Sequence, residues 1–216
     1  MNVRFRLAAA LAFTTTLAGC QSSGDIVVNQ GVGITAVRST CPAVGIPDYT
    51  GDITTFTTPG NYTTDALDVS ASMTNLRFEC AESSDEIYAT ATFDVLARRS
   101  DVRGARQVTL PYFVTVVRGG SAIVSKKVGS VTVAFADGQD RAVAQGTAAS
   151  YINRAEATLP DDIRDQITRR RKPGDPDAAV DPLTRPEVRA AVARASFEML
   201  LGFQLTEDQL RYNATR

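Results

Sequence analysis

Histidine is absent from all 216 residues, and so is tryptophan. Without histidine the chain lacks the usual general base near neutral pH and the commonest metal ligand, and every Ser-His or Cys-His nucleophile is excluded. Cysteine is scarce at three, and aromatics make up 7%. No apolar run reaches the ~20 residues that a membrane-crossing helix needs. An excess of one charge is lacking too, with Lys+Arg 23 against Asp+Glu 24. A chain so balanced carries no bias toward nucleic acid or another polyanion. What is present is 44% hydrophobic residues, enough at this length for one domain with a real core.

Residues 1–19 begin with a short basic head, Arg4 and Arg6, followed by an apolar run over residues 7–13 and then small and hydroxyl side chains. Those are the parts of a cleavable secretory signal. Leu17-Ala18-Gly19-Cys20 resembles the lipobox of bacterial lipoproteins. The resemblance implies that the Cys20 sulfur receives a diacylglycerol and that Cys20 becomes the acylated, palmitate-bearing mature N-terminus. The alternative is an ordinary signal whose flank contains a cysteine. Several acyl chains would make attachment to the bilayer effectively permanent, because one alone holds only marginally. Gln21, with no aspartate beside the cysteine, resembles the pattern sent on to the outer membrane, so a periplasm-facing outer-membrane anchor is expected. Loss of residues 1–19 removes two bases and no acid, leaving 21 bases against 24 acids. Residues 20–40 then read as a tether, spanning at most ~66 Å if fully extended.

Only Cys41 and Cys80 remain after Cys20. In an oxidising compartment such a pair reads as a disulfide, worth roughly 4 kcal/mol for a loop of about 40 residues in the chain-entropy model. A reactive thiol is the competing reading, but no CxxC spacing or basic cluster is there to lower a thiol pKa.

Residues 41–216 read as one mainly β domain. Short apolar bursts at residues 44–46 and 53–56 suggest two short strands among Pro, Gly and Thr turns. Ile87, Ala89, Ala91, Phe93, Val95 and Ala97 alternate with polar positions, the period of a strand with one buried face. Residues 108–117 are β-branched and aromatic on both faces, as in a central strand. Gly119-Gly120 offers a hairpin into a strand at residues 122–125, another follows at 128–136, and 141–159 continues less regularly. Strands of similar length with turns every ten or so residues predict an antiparallel sandwich of Ig-like or fibronectin type, though the missing tryptophan counts against a true immunoglobulin domain.

Five prolines frame a charged insertion at about residues 160–186 that includes Arg169-Arg170-Arg171-Lys172. It reads as a short helix over residues 161–171 or as an exposed loop, with contact to anionic headgroups or peptidoglycan as the lesser role for its bases. Val188, Val192 and Ala195 have helical spacing after Pro186. Phe197, Met199, Leu201, Phe203 and Leu205 then alternate, and a closing strand is favoured over a continued helix because the alternation runs through Gly202. Thr206-Glu207-Asp208-Gln209 is a capping box for a short C-terminal helix docked by Leu210 and Tyr212. Cys41-Pro42, Asp68-Val69, Leu110-Pro111-Tyr112 and the tail from Gly202 to Asn213 are similar to a group of uncharacterised bacterial envelope lipoproteins. That resemblance implies the sandwich and the closing strand, and no chemistry.

Candidate sites are few. Asp175, Asp177 and Asp181 lie near Gly174 but fail the calcium-loop spacing after the second ligand. Asp161 with Asp162, and Asp137 with Asp140, are paired carboxylates beside turns. Ser121 and Ser125 lack a nucleophile-elbow context. Asn61-Tyr62-Thr63 and Asn213-Ala214-Thr215 match a glycosylation acceptor that has little force in a bacterial lipoprotein. No metal and no cofactor is expected. The sequence therefore predicts a non-enzymatic envelope lipoprotein, a structural or protein-interaction module with an envelope protein as partner. A periplasmic small-ligand or glycan-binding lipoprotein is the alternative.

Overall fold

Period-two alternation dominates the middle of the chain, and long strands result. The computed structural model describes residues 38–215, all within one compact unit. The expected signal, Cys20 and the expected tether as far as residue 37 lie outside the described residues. In chain order the elements are β1 (Ala43–Gly45), β2 (Asp52–Phe56), β3 (Leu67–Glu82), β4 (Glu86–Arg99), β5 (Arg106–Arg118), β6 (Ala122–Phe135) and β7 (Arg141–Asn153). Helices α1 (Arg154–Ala157), α2 (Asp161–Thr168) and α3 (Pro186–Arg194) follow, then β8 (Phe197–Phe203) and α4 (Glu207–Thr215).

The protein is mainly β, built of two four-stranded sheets ordered β1-β8-β5-β6 and β2-β3-β4-β7. Every pairing is antiparallel except β1 with β8. The sheets face each other across a shared core. Val69, Ala91, Phe93 and Val95 come from one side, and Leu110, Val133, Met199 and Leu201 from the other.

Two glycines shape the centre of that core. Gly146 stands opposite Phe93 in the β4/β7 ladder, and Gly129 opposite Tyr112 in the β5/β6 ladder. Each ring lies where a Cβ on its glycine would stand. The rings meet edge to face, 5.2 Å apart, and the Tyr112 hydroxyl donates 2.8 Å to the Thr147 carbonyl of the opposite sheet. An aromatic laid over a cross-strand glycine fills space that an empty pleat would leave void, and it fixes register.

Several expectations need correction. The strands expected at 122–125 and 128–136 are one strand, β6, ending at Phe135, because Lys126 and Lys127 pair with Thr115 and Val114 and carry the ladder across the expected gap. Residues 141–153 form a regular strand: small residues such as Gly146 and Ala148 face the core, so their low hydrophobicity disguised the pattern. The closing strand, β8, begins at Phe197 as expected, stops at Phe203 short of Leu205, and lies between β1 and β5.

The proline-framed segment is not simply an exposed insertion. Leu159, Ile163 and Ile167 pack with Val188, Ala191 and Ala195 of α3 in a second apolar cluster. Helix α2 stops at Thr168, before the expected Arg171. Arg171 instead folds under the loop, 2% exposed, where its guanidinium donates to the Gln166 carbonyl and meets Asp177. At the far end the capping box forms as drawn, with Gln209 N–H donating to Thr206 Oγ1 and Thr206 N–H donating to Gln209 Oε1. Tyr212 docks α4 against the rings of Phe56 and Tyr62, but Leu210 stays exposed. Buried Asn213 takes the anchoring role, donating 2.8 Å to the carbonyls of Tyr49 and Asp52.

Candidate functional site

Cys41 and Cys80 are joined, their Cα atoms 6.2 Å apart. Cys41 immediately precedes β1 and Cys80 lies on β3, so the bond ties the start of the described chain in one sheet to the other sheet. Both cysteines pack against the cluster of Ile87, Val116, Ile152 and Phe197. No described helix is long and apolar enough to cross a membrane.

The acidic candidates are held apart by separate local tasks. Asp175 accepts the Lys172 N–H, Asp181 accepts the Leu183 N–H, and Asp177 receives Arg169 at 2.6 Å and Arg171 at 3.5 Å. Partial burial pushes the Asp177 carboxyl up, but the charges and hydrogen bonds of the two arginines outweigh it and hold the carboxyl below its usual range. Asp137 accepts the Gly104 N–H at 2.6 Å, whereas Asp140 faces Arg98 and Arg141. Asp161 pairs with Arg164. Among the described residues no group of three potential ligands is placed to hold a metal.

Arg99 is the group that sequence reasoning missed most completely. It is 2% exposed, lies over the Phe135 ring and donates to four carbonyls, those of Gln139, Gly104, Val102 and Ala136, at 2.7–2.9 Å. A planar guanidinium with five N–H donors suits such a cluster of converging carbonyls. The site is structural, clamping the β4–β5 and β6–β7 connections together.

Three surfaces remain for contact with other molecules. The first is β6, which ends its sheet and has no strand neighbour on its outer side among the described residues. Its first half is solvent-facing, with Ile123 69% and Val128 61% exposed on either side of Lys126 and Lys127. An exposed apolar edge strand is a template for adding another strand. The second is the outer face of β4 and β7, where the cross-strand rings of Tyr88 and Tyr151 stand exposed with centroids 4.8 Å apart. The third is a cavity of about 280 Å³ beneath residues 38–40, walled by α1 and α2. None of the three was singled out from the sequence. The β6 edge had one legible signal, two consecutive lysines inside an otherwise β-branched run.

Compared with known proteins, the chain matches no family model, no curated protein and no solved structure.

Proposed function

We propose that the chain is a bacterial envelope lipoprotein, acylated at Cys20 and held at the outer membrane facing the periplasm, whose β body is a non-enzymatic docking module. The lipobox-like Leu17-Ala18-Gly19-Cys20 and the signal before it support the anchor. The observation that carries the docking role is the open outer edge of β6, with Ile123 and Val128 exposed beside a lysine pair. The partner that suits it is an extended segment of an envelope protein with acidic side chains, which would add main-chain hydrogen bonds to β6 and set carboxylates against Lys126 and Lys127. Within this reading the body is assigned to the Ig-like or fibronectin-type sandwiches. Two mostly antiparallel sheets with the chain passing between them support that assignment, whereas the β2-β3-β4 meander and the parallel β1/β8 pair depart from the usual ABED and CFG split.

Photo-crosslinking in cells from residues 124 and 128 tests the docking role. A discrete adduct that disappears with Lys126→Glu/Lys127→Glu is expected, and no adduct, or one insensitive to charge reversal, overturns it. Cys20→Ala is expected to abolish acyl labelling and release the protein from membranes; unchanged labelling removes the anchor.

The exposed Tyr88–Tyr151 pair favours a second reading, a glycan-binding lipoprotein, since paired ring faces offer an apolar platform. A rise in melting midpoint with glycan fragments that is lost in Tyr151→Ala would support it.

A further inference from the structure

The cavity under the first described residues differs from the rest of the surface in its charge. Arg38 comes from the leading strap, Arg154 from α1 and Arg164 from α2, and no carboxylate lines the space between them. Its floor is apolar, formed by the buried side chains of Leu159 and Ile167. Each guanidinium is held from outside. Arg38 donates 3.2 Å to the Val192 carbonyl, Arg154 donates 2.7 Å to the Ser83 carbonyl and lies 3.8 Å from Glu82, and Arg164 meets Asp161 at 2.9 Å. One or two of five N–H donors are used in each case, so the others are available to a ligand. The bordering threonines cannot supply donors: Thr158 and Thr168 give their hydroxyl protons to the Arg154 and Arg164 carbonyls. The charged groups that line the space are all arginines, with the Ser39 hydroxyl beside them.

Arg38 has no carboxylate partner among the described residues, and burial pushes its guanidinium pKa down from the usual value. Of the three cations only Arg38 lacks a carboxylate, since Arg154 stands by Glu82 and Arg164 by Asp161, and forked guanidinium donors match phosphate oxygens. The apolar floor adds a surface that a bare anion would leave unused.

We propose that this cavity binds a phosphate-bearing amphiphile, its phosphate among Arg38, Arg154 and Arg164 and its first tail carbons over Leu159 and Ile167. The lipid source, as distinct from a soluble phosphate compound, rests on the anchoring at Cys20 proposed above. Arg38 lies only 18 positions after Cys20, a span of at most ~60 Å. A tether of that reach keeps the cavity at high effective concentration over the bilayer.

The test is calorimetric titration of the full chain carrying Cys20→Ala, so that it reads the cavity whether or not the cysteine is acylated. The probes are dihexanoyl phosphatidic acid below its micelle concentration, dihexanoyl phosphatidylcholine and inorganic phosphate. Expected is at least tenfold tighter binding of the phosphatidic acid than of the phosphatidylcholine, with at least a tenfold loss in Arg38→Gln and in Arg164→Gln. Inorganic phosphate binding as tightly as the lipid, with the same sensitivity to the variants, supports the anion site and assigns it to a soluble phosphate compound. Equal affinity for the two lipids, or affinity unchanged in the variants, overturns the proposal. Should Arg38→Gln fail to fold, Arg164→Gln decides, because that side chain lies exposed on α2.

Discussion

Arg99 and Arg171 look alike in sequence, each beside another arginine, yet both are buried while their neighbours Arg98 and Arg170 are exposed. Their environments differ in kind. Arg99 is satisfied by carbonyls alone, so its removal takes the donor from those of Gly104 and Gln139, whereas the Val102 and Ala136 carbonyls keep the N–H groups of Gly138 and Gln139. Arg99→Met is expected to cost about 3 kcal/mol or more in chemical denaturation, at 1–3 kcal/mol for each acceptor left dry; a loss under about 1 kcal/mol would mean that water replaces the guanidinium. Arg171 shares Asp177 with Arg169, and that carboxyl is held below its ordinary range. A carboxyl with a lowered folded pKa contributes stability in full above the unfolded value of about 3.9, and that contribution fades as pH falls below it. Melting midpoints of wild type and Asp177→Asn should therefore differ at pH 6 and converge as the pH drops through 3. A constant gap would show that the charge of Asp177 is not the source.

Among the elements, β4 could be read almost residue by residue, because six apolar positions at period two leave one solution for which face is buried. β6 and β7 could not. In β7 the inward positions are Gly146, Ala148 and Ser150, and their smallness makes sense only against Phe93, which lies across the ladder. In β6 the lysine pair reads as a gap until β5 is present to pair with it. Gly129→Ala and Gly146→Ala should each destabilise by about 1–3 kcal/mol, since a Cβ at either position meets an aromatic ring that has no room to retreat. The same substitution at Gly120, where nothing stands near the new Cβ, does not create that clash, although positive φ there brings its own strain. Urea midpoints of the first two variants at wild-type level would show that the rings can move aside.

For the molecule as a whole, the bond between Cys41 and Cys80 joins the leading end of the body to the opposite sheet. Pairing Cys41→Ser with Cys80→Ser should lower stability by roughly 4 kcal/mol, the loop-closure entropy regained by the unfolded chain. A pull at residue 38 would then peel β1 away before the rest, because only three residue pairs hold it to β8. Composition and period determined much of this architecture unaided. Strand-forming alternation, a cysteine pair with no other use, a capping box and the breaks set by proline and glycine are local properties, and local properties survive in sequence. The edges of the sheets, the buried arginines and the grouping of Arg38, Arg154 and Arg164 were decided only by tertiary structure. Each depends on which strands become neighbours and which side chains, more than a hundred residues apart in the last case, are brought to one place, and hydrophobic periodicity fixes the face that a residue occupies without fixing what lies opposite it.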